Sequence, residues 1–214
     1  MQHQILDTAV PEKEVSRPLI LLVGNPNVGK SVIFSHLTGK YVVVSNYPGT
    51  TVEITRGTGS FDGNPEVIDS PGANSLVPRS EDERVTRDFL ISRSSTTVLQ
   101  VADSKNLRRA LILTSQMAEM GVPVVLSLNM ADEAKSAGIE IDSVKLSSVL
   151  GVPVVETVAT EKRGMNKLIS ALNSARPSKF RVGFHPEIER AVEKIAAILP
   201  PPPISGKSIA LMIL

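Results

Sequence analysis

The sequence predicts an α/β fold: a mostly parallel, six-stranded sheet flanked by helices, followed by part of a small helical domain. Three observations carry this. Strand-sized apolar runs alternate with helix-length segments over residues 19–174. The first run ends in glycine and leads through a glycine-containing loop into a helical stretch. The chain has 214 residues, 42% of them hydrophobic, enough to bury a core around one such sheet.

The elements follow in order. Residues 19–23 are uninterrupted apolar residues and read as a strand buried on both faces. Residues 30–37 read as a helix, with Gly39 as its stop. Residues 41–51 mix β-branched side chains with Asn46, Pro48 and Gly49 and read as an ordered loop. Residues 52–60 and 65–69 are two strands around the turn Asp62-Gly63-Asn64. Ser80-Glu81-Asp82-Glu83 is a capping box opening a helix to about Ser92.

Residues 97–102 form a strand. Residues 106–120 form a helix with Leu107, Ala110, Leu111, Thr114, Met117 and Ala118 on one face, closed by Gly121. Strand 122–128, a capped helix 142–150 ending at Gly151, strand 152–158 and helix 166–174 complete the alternation. The composition shifts near Pro177. Residues 186–199 make an amphipathic helix, and four prolines at 200–203 predict an extended spacer. Residues 208–214 look like the start of a further apolar helix, cut off. The expected organisation is a loose arm at 1–17, the α/β domain at 18–176, and the beginning of a helical spacer at 177–214.

Composition excludes several function classes. The net charge is +1, from 23 Lys+Arg against 22 Asp+Glu, so no broad footprint for nucleic acid is expected. The absence of Cys excludes disulfides, thiolate metal sites and a Cys nucleophile. Trp is absent and aromatics are 3%, which argues against stacking platforms for single strands. The first residues lack a secretory pattern, and no stretch reaches the roughly 18 apolar residues of a membrane span. The chain as given reads as soluble and cytoplasmic. His3, His36 and His185 share no spacing with carboxylates that suggests a metal site. Arg79, Arg84 and Arg87 read as a solvated helix face rather than an arginine finger.

The chemistry begins at Gly24-Asn25-Pro26-Asn27-Val28-Gly29-Lys30-Ser31, which matches G-x-x-x-x-G-K-[ST] between a buried strand and a helix, with Val32 in the helix's first turn. The glycines permit a tight loop whose backbone N–H groups face phosphate oxygens, and the helix N-terminus adds its positive dipole end. Lys30 supplies a point charge for the β- and γ-phosphates, and Ser31 a Mg²⁺ ligand.

Three further loops select the base and sense the phosphate. Asp69-Ser70-Pro71-Gly72 follows a strand; Asp69 can hold Mg²⁺ through water, and the Gly72 N–H can sense the γ-phosphate. Asn129-Met130-Ala131-Asp132 follows another; Asp132 can accept from guanine N1 and N2, which adenine cannot match. Val158-Ala159-Thr160 follows the last, where backbone N–H groups could meet guanine O6. Each sits at a strand's C-terminal end, where open α/β sheets bind ligands, and together they indicate GTP. Thr50 and Thr51, with Thr51 favoured, could coordinate Mg²⁺ only with the γ-phosphate present, making their loop a switch.

These motifs resemble a known family. The phosphate loop, Asn46-Tyr47-Pro48-Gly49-Thr50-Thr51-Val52-Glu53, Asp69-Ser70-Pro71-Gly72-Ala73-Asn74-Ser75-Leu76 and Asn129-Met130-Ala131-Asp132-Glu133-Ala134 are similar to the cytosolic GTPase domain of the ferrous iron transport protein B family, over residues 19–172 and more loosely over 186–214. The resemblance implies a translation-factor-like G domain on the cytoplasmic face of a bacterial inner membrane, followed by a membrane transport domain of the same protein. It implies slow hydrolysis of GTP to GDP and phosphate, a conformational response that drives or gates Fe²⁺ uptake, and a homo-oligomer as an open alternative. It also implies K⁺ held by Asn27, neutralising charge on the transferred phosphoryl group together with Lys30. On this reading Asn27, Lys30, Thr51 and Gly72 serve catalysis.

The sequence departs from common GTPase patterns in three places. Met130 replaces the usual Lys of the base motif, Ala73 cannot orient water as a glutamine does, and Tyr47 stands where members often carry Trp. Modest affinity, quick GDP release and slow hydrolysis are expected. The alternatives are a free-standing GTPase assisting ribosome or RNA maturation, which would need a basic appendage, and a non-hydrolysing GTP sensor.

Overall fold

The computed structural model describes residues 17–92, 96–199 and 204–214, without the side chains of Lys40 and Tyr41. The arm expected at 1–17 (Arg17 apart) and the four prolines lie outside the described residues.

β1 (Leu19–Gly24) runs through the middle of a seven-stranded sheet of order β2-β3-β4-β1-β5-β6-β7. It is flanked in parallel by β4 (Glu66–Asp69) and β5 (Thr96–Asp103), and β6 (Val124–Asn129) and β7 (Val154–Glu156) continue in the same sense. Its side chains alternate between two cores, which is why the run reads apolar throughout. Leu19, Leu21 and Val23 pack under α2 (Glu81–Ser92) and α3 (Leu107–Met120). Ile20 and Leu22 pack under α1 (Lys30–Leu37) and α6 (Met165–Asn173). The parallel strands therefore end together at Gly24, Asp69, Asp103, Asn129 and Glu156, along one edge of the sheet.

The expected six strands become seven. Thr38–Asn46 is not loop but an antiparallel edge strand, β2, paired with β3 (Glu53–Gly59). Its β-branched run can pair with β3 although no core lies behind it, so Val43 stays 63% exposed and Val42 and Val44 are exposed beside it. Gly39 does not stop α1. The helix ends at Leu37 as expected, but its cap is Thr38, whose hydroxyl and N–H both bond Phe34 O, and Gly39 lies in the strand. The loop reading holds only for the residues after Asn46.

The short α4 (Ala131–Ser136) was not anticipated, and α5 (Ser143–Leu150) is capped by Asp142 as expected. The last strand spans Val154–Glu156 only; the chain then turns into the 3₁₀ turn Ala159–Glu161. After α6, the helices α7 (Pro186–Ile198) and α8 (Gly206–Ile213) do not stand apart from the α/β domain. Ile204, Ile209 and Met212 join the core beside α3, and the Ser205 N–H donates to Met120 O at 2.9 Å. The Val182 N–H donates to Glu119 Oε1 at 2.6 Å, fastening the connection before α7 to the same helix.

Candidate functional site

Between β1 and α1 the chain turns through two left-handed residues, Asn27 (φ 63°) and Gly29 (φ 87°). A Cβ at Gly29 would lie 2.4 Å from Asn129 Nδ2, and one at Gly72 would lie 2.8 Å from the Pro26 ring. The loop thus closes against the two other motifs only because both positions are glycine. Gly29→Ala is expected to weaken nucleotide binding at least about tenfold, from left-handed strain of about 1–2 kcal/mol plus displacement of Asn129. Equilibrium titration with a fluorescent guanine nucleotide measures this, and unchanged affinity would contradict it.

Pro26, Asn27, Gly29, Lys30, Ser31, Val32, Gly72, Asp82 and Met130 line an open cleft of about 580 Å³. Lys30 is 9% exposed. Burial pushes its ammonium below the usual lysine range, while Asp69 and Asp82 pull it back up. A buried cation at a helix N-terminus suits an anionic ligand.

The Ser31 hydroxyl donates to Asp69 Oδ2 at 2.7 Å, while Asp69 Oδ1 is buried without a partner. Burial pushes the Asp69 carboxyl up, against the Ser31 bond and the Lys30 charge. A hydroxyl and a carboxylate with an unused oxygen form the hard donor set that Mg²⁺ takes, so these residues fit that ion.

The loop after β4 is fastened at several points. The Ala73 N–H donates to Gly24 O at 2.9 Å, and Asn25 Nδ2 donates to Ala73 O and to Asn74 Oδ1. The capping box is only half formed. Ser80 Oγ accepts from the Glu83 N–H, but the Glu83 carboxylate turns to the loop and accepts from the N–H groups of Asn74 (3.1 Å) and Arg79 (2.8 Å). Burial pushes the Glu83 carboxyl up, but backbone donors at Arg79, Asn74 and Ser75 outweigh it and hold it below the usual glutamate range. From α3, Gln116 accepts from the Leu76 N–H and donates to Ser75 Oγ. Arg84 pairs with Glu81 and Arg87 with Asp88, as a helix surface would.

Behind Gly29, Asn129, 3% exposed, joins three loops. Its Nδ2 donates to Val28 O at 3.0 Å, and its Oδ1 accepts from the Ala159 N–H at 3.0 Å and from Thr157 Oγ1 at 3.2 Å. Met130 follows in the left-handed region (φ 59°) and lines the cleft. Asp132 Oδ1 is buried without a partner. Val158 and Ala159 are buried and Thr160 is exposed.

The structure thus brings the phosphate loop, Asp69, Gly72, Asn129 and the Ala159 turn into contact with one another, with Met130 lining the same cleft. It does not bring Thr50 and Thr51 to the cleft. The Thr50 hydroxyl donates to Tyr47 O (2.9 Å), accepts from the Val52 N–H and so closes its own turn, while Thr51 is exposed. Tyr47 keeps an aromatic contact, its ring 5.0 Å from that of Phe89 on α2. Sequence reasoning missed the loop-holding roles of Glu83 and Gln116. The capping box was legible, but which donors its carboxylate meets was not.

A family model described as "Ferrous iron transport protein B" matches residues 19–172. The chain belongs to this family. It is 40% identical over 188 residues to an Fe(2+) transport protein A/Fe(2+) transporter FeoB fusion protein of Porphyromonas gingivalis, covering 82% of this chain but 22% of that one. The crystal structure of the cytosolic domain of T. maritima FeoB in apo form superposes with TM-score 0.84 at 33% identity, over 92% of this chain and 81% of that one. A mutant S. thermophilus NFeoB bound to GDP superposes with TM-score 0.83 at 35% identity, over 92% and 78%. The fold is therefore the P-loop GTPase domain of the FeoB family, and the chain spans under a quarter of the length of the P. gingivalis relative. Among the described residues no helix is long and apolar enough to cross a membrane, and no group of three His or carboxylate side chains could hold a metal.

Proposed function

We propose that this chain is the GTP-binding and slowly GTP-hydrolysing module of a ferrous iron uptake protein, coupled to a membrane transport domain of the same polypeptide at the cytoplasmic face of a bacterial inner membrane. One observation carries the reading: a buried, partnerless Asp132 oxygen and the buried Lys30 ammonium stand in separate motifs that Asn129 ties together. Asp132 is suited to the paired N–H donors of guanine, and Lys30 to the phosphates. The residues from Gly24 to Val32, Pro26 apart, would wrap the phosphates with backbone N–H groups; Val158, Ala159 and Thr160 would offer theirs to guanine O6, Val158 and Ala159 by exchanging their present bonds to Arg163 O and Asn129 Oδ1.

Ser31 and Asp69 would hold Mg²⁺, Asp69 through water, and Asn27 would hold K⁺; both ions neutralise charge on the phosphates. The chain's own part is positioning. Gly72 lies against Pro26 of the phosphate loop, and its N–H would follow the γ-phosphate. Ala73 offers no polar group to the attacking water, which fits slow turnover. Thr50 and Thr51 would leave their present turn to meet the γ-phosphate, carrying β2 with them, and the loop held by Glu83 and Gln116 would pass the change to α3 and α8.

GTP turnover is expected to be faster in KCl than in NaCl, and Asn27→Ala is expected to remove the difference while retaining slow basal turnover. Phosphate release measured in both salts tests this. No turnover in either salt would overturn the enzyme reading, and equal turnover would overturn the Asn27–K⁺ assignment.

A further inference from the structure

We infer that His36 is a positioning residue for the guanine-contacting turn and sets how long a nucleotide stays bound. It lies in the last turn of α1, the helix whose first residues, Lys30 and Ser31, face the phosphate cleft. Its Nε2 is 2.8 Å from Ala159 O. A carbonyl oxygen only accepts, so Nε2 carries the proton and donates.

The same carbonyl also accepts from the Lys162 N–H at 3.1 Å, but that donor belongs to the turn itself and moves with it. Two side chains hold Ala159 from outside the turn. Asn129 takes its N–H from β6, and His36 takes its carbonyl from α1. Asn129 also grips Val28 O, so the turn is clamped both to the phosphate loop at Val28 and to the last turn of α1 at His36.

A guanine held by backbone N–H groups leaves by displacement of the segment that carries them, and such a displacement must break the His36 bond. Neither hydrolysis nor the phosphate contacts use the imidazole, so its effect falls on residence time and not on chemistry. Nothing in the spacing of the sequence points to this role. His36 stands 123 residues from its partner, and a lone histidine on a helix carries no ligand pattern.

The inference rests on the reading of Val158, Ala159 and Thr160 as the guanine turn. The test is stopped-flow release of a fluorescent GDP analogue from the full chain, with single-turnover GTP hydrolysis measured in parallel. His36→Ala is expected to release GDP about three- to tenfold faster, the effect of one lost hydrogen bond, with single-turnover hydrolysis unchanged. His36→Gln, which keeps an N–H donor on a flexible stem, is expected to restore slow release. Unchanged release in His36→Ala overturns the inference. So does fast release in both variants accompanied by equal losses of thermal stability, which would mark a packing role. Asp132→Asn is measured alongside. If it loses guanine preference while His36→Ala leaves release unchanged, the anchor alone fails; if it retains guanine preference, the pocket reading fails and the anchor with it.

Discussion

Asp132→Asn is expected to weaken GTP and GDP binding by about 10²–10⁴-fold and to transfer preference to xanthosine nucleotides. The carboxylate would accept from two guanine N–H groups, and a hydrogen bond to a charged acceptor contributes about 1.5–3 kcal/mol. Its Oδ1 is buried and meets no protein donor, so the exchange breaks no hydrogen bond at that atom and gives up only attraction to the Lys105 ammonium, and the fold should be retained. An asparagine amide offers a donor where guanine also offers one, and that clash becomes a match with the C2 carbonyl of xanthine. Competition titrations with guanosine and xanthosine diphosphates, read with circular dichroism to confirm folding, decide it. A variant that still prefers guanosine would show that Asp132 does not read the base.

Asn129→Ala is expected to act on stability as well as binding. The side chain is buried and satisfies Val28 O, the Ala159 N–H and Thr157 Oγ1 at once. Alanine leaves Val28 O and the Ala159 N–H without this partner in a small void, while Thr157 Oγ1 keeps its bond to Ser127 Oγ at 2.8 Å, and each buried orphan costs about 1–3 kcal/mol. A loss of about 2–4 kcal/mol in unfolding free energy is therefore expected, with the orphans partly rehydrated, together with loss of nucleotide binding. Chemical denaturation of the nucleotide-free protein measures the first effect. A variant as stable as the parent would mean that the three loops hold their places without this bridge. The two substitutions, three residues apart, should thus separate: one changes which base is bound, the other whether the site exists.

The motif-bearing parts of the fold were legible because each requirement is local. A buried parallel strand shows as an apolar run, a phosphate loop needs glycine at fixed offsets, and a capped helix announces itself within four residues. The same locality explains the misses. Asn46, Pro48 and Gly49 are turn formers and make residues 41–51 look like loop, yet they govern only the turn after β2; the valines within it answer to β3, a partner that composition does not name. Gly39 looked like a helix stop, but Thr38 caps α1 through bonds to Phe34 and the glycine was free to enter the strand. Glu83 was visible as a cap residue and invisible as the acceptor for Asn74 and Arg79, because a carboxylate's choice among backbone donors depends on where the chain passes next.

By itself, the sequence determined the alternation of strands and helices apart from β2 and α4, the four motifs and the family they resemble, since these rest on residue type and short spacing. Only the tertiary structure decided how the motifs lock together. Asn129 reaches 101 residues back to Val28 and 30 forward to Ala159, and His36 meets that turn across 123 residues. It also decided that α8 seals against α3 and that Thr50 and Thr51 rest in a turn of their own, away from the cleft. Bonds between such distant residues are set by the parallel order of the sheet, which brings strand ends together whatever their separation along the chain.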